Sequence, residues 1–78
     1  MSNVTDEHLI KVLTDYFLDI QSDFGYYVTW TSWLIFKGKT MECATLMYKT
    51  DTQLNKLLHA ASKAAERQTN SKLAKAMK

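Results

Sequence analysis

Catalysis in this chain would have to start from one cysteine and two histidines. Nucleophilic chemistry needs a nucleophile beside a base, and a third group to orient that base. Cys43 sits in the apolar run "TMECATLMY", where a thiol behaves as a small apolar side chain. His8 falls in the first turn of a predicted helix and His59 on an exposed helical face. Neither has a carboxylate at ligand spacing, so no metal site is expected. Asp15 and Asp19 stand one helical turn apart and resemble a carboxylate pair, but on a polar face such a pair is ordinarily solvated charge. Two glycines do not build a phosphate-cradling loop. The expectation is a protein that is not an enzyme and takes no cofactor.

Charge offers more than nucleophiles do. Residues 1–36 hold five acids (Asp6, Glu7, Asp15, Asp19, Asp23) against Lys11, and residues 37–78 hold nine bases against Glu42, Asp51 and Glu66. Lys56, Lys63 and Arg67 recur at helical spacing, and Lys72, Lys75 and Lys78 extend the run. Lys37, Lys39 and Lys49 add charge nearby. Such residues neutralise phosphates without reading sequence, and aromatic side chains beside them would stack on unpaired bases. Lys56, Lys63, Arg67, Lys72, Lys75, Lys37 and Lys39 are therefore the expected contacts to RNA or single-stranded nucleic acid. A plainer reading makes the lysine stripe a solvated face and the two charged halves each other's partners. No helix-turn-helix spacing or RNP-like aromatic motif is present.

The elements that must position these groups fit one domain of 78 residues. A core this small supplies only about 3–5 kcal/mol. A single cysteine excludes an internal disulfide, so oligomerisation, most simply a homodimer, is the expected reinforcement. The polar, acidic start "MSNVTDEH" is unlike a leader, and the apolar stretch 26–36 is too short to span a bilayer. A cytoplasmic protein with no membrane association is the expectation.

The first predicted element is a helix over 6–21. Thr5 would cap it, and Leu9, Leu13, Tyr16, Phe17 and Ile20 would share its apolar face, flanked by Ile10 and Val12. Val4 and Leu9 stand at the staple positions. Leu18 points to the polar side. Gly25 is expected near the helix end.

The second unit reads as an antiparallel hairpin. Valine, threonine, tyrosine and tryptophan dominate 26–36, which is strand composition. "KGK" offers a two-residue type II′ turn with Gly38 first. That register puts Trp30, Leu34, Phe36, Met41, Cys43 and Met47 on a core face. Tyr27, Trp33, Ile35, Leu46 and Tyr48 fall on the other face, too apolar for solvent, and are the expected dimer or partner interface.

A final helix over 51–68 opens with the capping-box pattern "TDTQ". Its stripe of Leu54, Leu57, Leu58, Ala61, Ala64 and Ala65 narrows to alanine, as close approach of another helix requires.

The expected fold class is α+β, ordered α-β-β-α. A single domain would cover 1–71, with 72–78 a basic tail or short helix, and two hairpins would join across a dimer axis into a larger sheet. The leading functional expectation is a small non-enzymatic nucleic-acid-binding protein. The alternative is an inhibitor or antitoxin-like protein, of the phage or mobile-element type, that blocks a nucleic-acid-processing enzyme such as a nuclease.

Overall fold

Thr5 receives a hydrogen bond from the His8 amide at 3.1 Å, and with that cap the first helix begins. The computed structural model describes residues 4–22 and 28–76. They form α1 (Asp6–Ser22), α2 (Trp30–Phe36), α3 (Thr40–Met47) and α4 (Asp51–Ala76). No strand is present among the described residues, so the expected α+β fold with its hairpin and shared sheet is overturned: every described element is a helix. Gly25 and Tyr27, expected at a helix end and on a hairpin face, lie outside the described residues.

α1 buries Leu9, Val12, Leu13 and Tyr16, with Ile10, Phe17 and Ile20 partly buried beside them. That is the face its periodicity defines. α4 starts with a reciprocal capping box: the Gln53 amide donates to Thr50 Oγ1 and the Thr50 amide to Gln53 Oε1, each at 3.2 Å. Its Leu57, Ala61 and Ala65 are buried, and α1 and α4 share the most extensive interface of the fold. A single methyl holds a neighbouring helix away less than any longer side chain would.

The two long helices run parallel. At their starts, Lys49 Nζ lies 3.2 Å from Asp6 Oδ1. At the far end, Thr69 Oγ1 lies 3.0 Å from Gln21 Oε1. The chain must therefore return the length of α1 before α4 begins, and α2 and α3 are that return. Trp33 on α2 reaches Asp19 near the end of α1, whereas Glu42 on α3 faces His8 in its first turn, at 4.0 Å.

What breaks the return leg is Gly38. The Gly38 amide donates to the Ile35 carbonyl at 3.0 Å and the Lys39 amide to the Leu34 carbonyl at 2.8 Å. Gly38 has φ +75°. This is a Schellman termination with glycine at the left-handed position. A type II′ hairpin turn also wants a positive-φ glycine, so "KGK" signals either motif. Side-chain burial decides between them. The adjacent Trp33 and Leu34 are both buried, whereas Leu34 and Phe36, which would share a strand face, are 0% and 83% exposed. Thr29 caps α2 by accepting from the Ser32 amide at 3.3 Å. Local β-propensity yields here to capping and to a helical burial pattern.

A Cβ at Gly38 would meet nothing within 4 Å, so its substitution tests the backbone alone. Gly38→Ala should cost about 1–2 kcal/mol, a melting point lower by about 4–8 °C per kcal/mol in a domain this small. Gly38→Asn should lose less. An unchanged melting point, or a far-ultraviolet circular dichroism spectrum of strand type, would refute the helical termination.

Candidate functional site

Trp33 is the side chain around which the exposed end of the bundle is organised. It is buried on α2, with its ring edge-on to Tyr16 at a centroid distance of 5.6 Å. Its indole N–H donates to Asp19 Oδ2 at 2.7 Å, a short bond to an ionised acceptor. The Tyr16 hydroxyl donates to the Val28 carbonyl, tying the chain that leads into α2 to α1. From the last turn of α2, the Lys37 ammonium lies 5.8 Å from the Trp33 ring centroid and 5.9 Å from that of Phe36. Both distances are within cation–π range.

Two grooves flank this arrangement. One, of about 720 Å³, is lined by Asp15, Leu18, Asp19 and Gln21 of α1, Trp33 and Lys37 of α2, and Thr69, Lys72 and Leu73 of α4. The other, of about 430 Å³, runs from Asp19 and Ile20 past Val28, Ser32 and Trp33 to Phe36 and Lys37. Asp19, Trp33 and Lys37 are common to both. The result is a continuous amphipathic surface with two carboxylates and two ammonium groups.

The return leg adds exposed apolar side chains. Ile35, Phe36, Met41, Met47 and Tyr48 are 57%, 83%, 53%, 66% and 91% exposed. Ile35, Phe36 and Met41 lie within three residues of Gly38, on the two sides of the break.

The structure divides the residues expected to bind nucleic acid. Lys56, Lys63 and Arg67 share the outward side of α4, away from Leu57, Ala61 and Ala65, and Lys63 lies 3.7 Å from Glu66. Lys72 falls on the other side of the helix, seven residues after buried Ala65, and lines the groove. Lys75 is exposed near the end of α4, Lys37 stands over Trp33, and Lys39 follows Gly38. The seven do not form one patch. Of the residues expected at an interface, Trp33 and Leu46 are in the core, and Ile35 and Tyr48 are exposed. Tyr27 lies outside the described residues. The face that the hairpin register defines does not exist in a helical pair. From the expected core face, Phe36, Met41 and Met47 are exposed, whereas Leu34 and Cys43 are buried.

Sequence reasoning missed Asp15, Leu18, Asp19 and Leu73 as one site. The available signal was Leu18 on the polar side of α1, together with a lone leucine in the basic end "KLAKAMK". Cys43 is buried. Among the described residues, no three His, Cys, Asp or Glu side chains gather to hold a metal ion, and no helix is long and apolar enough to cross a membrane. Compared with known protein families, curated proteins and solved structures, the chain matches none of them.

The Trp33–Asp19 bond should register in stability. Asp19→Ala should cost about 1–2 kcal/mol, the lower part of the range for bonds to charged groups because Asp19 is exposed. Asp19→Asn, which keeps an acceptor oxygen, should cost clearly less. Urea titrations followed by tryptophan fluorescence measure both. Equal losses from the two substitutions would show that the indole bond is not what Asp19 contributes.

Proposed function

We propose that this chain is a non-enzymatic binding protein that docks against another protein through the outward side of α2 and α3. The observation that carries this reading is the exposure of Ile35, Phe36, Met41, Met47 and Tyr48 within residues 35–48. The same segment already turns Trp33, Leu34, Cys43 and Leu46 inward, so the core does not require the outward five. Aromatic residues and methionine are types enriched at interfaces, and a concentration of apolar side chains on one surface marks interaction sites more often than it occurs by chance.

Charge narrows the partner. Between residues 28 and 50 the only acid is Glu42, against Lys37, Lys39 and Lys49. The complementary surface is an apolar depression with an acidic rim. An inhibitor of a metal-dependent nuclease, whose cleft is walled by metal-binding carboxylates, would carry a face of this kind.

A second reading rests on α4. Lys56, Lys63 and Arg67 occupy one exposed side of a single unbroken helix, a geometry suited to tracking a phosphate backbone. That helix carries no phenylalanine, tyrosine or tryptophan to stack on bases, so it would hold RNA or single-stranded nucleic acid by charge alone.

Paired variants separate the two readings. Phe36→Asp with Met41→Ser should abolish capture of a nuclease-resistant protein partner in a pull-down read by mass spectrometry. Helical circular dichroism should be retained, with stability lowered by about 1 kcal/mol at most, since Phe36→Asp puts an acid in the last turn of α2. Lys56, Lys63 and Arg67 all changed to alanine should leave capture intact. Loss of capture with the second set alone, joined by salt-sensitive binding to RNA in fluorescence polarisation, would move the function to α4.

A further inference from the structure

We infer that the groove beside Trp33 receives the C-terminal turns of α4 from a second copy of this chain. The inference does not rest on the proposed role for the outward side of α2 and α3, because it is argued from α1, from buried Trp33 and from the end of α4.

α1 ends at Ser22, level with Thr69, but α4 continues through residues 70–76. That is about 10 Å of helix beyond the end of α1. Residues 70–75 are all exposed, and Leu73 is 56% exposed. The projecting turns hold Lys72 and Lys75, and no acid follows Glu66.

The groove beside these turns supplies what they lack. Leu18 and Trp33 give it an apolar wall and Asp15 and Asp19 put carboxylates on its α1 side, while Lys37 and the chain's own Lys72 and Leu73 line the rest. Among the described residues, neither Asp15 nor Lys72 nor Lys75 is held in an ion pair. Groove and projecting turns adjoin on one end of the molecule. A two-fold axis near Leu73 therefore lays each copy's projecting turns across the other's groove. Leucine meets leucine at the axis, and the lysines of each copy approach the carboxylates of the other. A surface with apolar, anionic and cationic parts side by side is self-complementary under that rotation, which is what an isologous dimer requires. A foreign helix would need the same apolar position and flanking bases that the chain already carries. A domain of this size also gains from such an association, because its own core buries a limited share of its surface.

Analytical ultracentrifugation of the full chain, from low micromolar to near-millimolar concentration, tests this. The mass should rise from 9.0 kDa toward twice that value. Asp15→Lys and Lys75→Glu should each weaken self-association at least tenfold while retaining helical circular dichroism, since both side chains are exposed. An equimolar mixture of the two should regain the dimer, because each groove then meets a tail of opposite charge. Leu73→Asp should abolish it, and Tyr48→Asp on the α2–α3 face should not change it. A wild-type chain that stays monomeric throughout would overturn the inference. So would single charge variants that dimerise normally, or a mixture that fails to recover.

Discussion

Everything in this fold follows from α1 and α4 being parallel. Antiparallel neighbours need only a short turn, but parallel ones oblige the chain to travel back along the first before starting the second. The pairing is held at its two ends by Lys49 with Asp6 and by Thr69 with Gln21, and in its middle by Ala61 and Ala65, which are fully buried. The return is therefore the length of α1 and passes over a core already formed on one side. A single straight helix is not the solution the sequence takes. Gly38 ends α2 with a Schellman motif, and Lys39 leads into α3. Two helices of 7 and 8 residues would be unstable alone in water. They persist because Trp33 and Leu34 on one, and Cys43 and Leu46 on the other, enter the common core.

The parts of the fold that read clearly from the sequence are those with redundant signals. α1 combines Thr5 as a cap, acids in its first turn and a seven-residue apolar face, and each clue names the same boundaries. Thr50 and Gln53 announce α4 in the same way, and its alanine stripe announces a close neighbour. The return leg offers conflicting signals. Val28, Thr29, Thr31 and Ile35 favour strand, a positive-φ glycine suits both a hairpin and a helix end, and apolar residues stand at every position from 33 to 36. With apolar side chains on both sides, periodicity loses its power to separate a period of two from one of 3.6. The excess of apolar residues that hides the helix is the same excess that remains exposed once the helix forms.

The candidate site was legible only in pieces. Lys56, Lys63 and Arg67 fall on one face because helical spacing alone places them there. Lys72 continues their sequence but not their face, since five residues past Arg67 is well over one turn and carries it round to the groove. Asp15 and Asp19 look like idle surface charge until α2 is known to be helical. Only then does the Trp33 indole come within hydrogen-bonding distance of Asp19. A strand at Trp33 would have alternated it away from Leu34, and neither the shared burial of those two residues nor the groove beside them would exist. A site built from three elements thus depends on the local conformation of one short segment.

Which exposed features carry meaning depends on what the fold would cost without them. Charged residues on the outer side of α4 are what any surface helix carries, and they keep a long helix solvated. The outward side of α2 and α3 is different. Phe36 and Tyr48 are almost wholly in solvent, contribute nothing to the buried cluster, and would be exchanged for polar residues at little cost to the fold. Their presence in a chain this short exposes it to non-specific association in the absence of a partner. Ile35, Phe36 and Met41 stand on the two sides of the Gly38 break, where burial in the core constrains the choice of side chain least.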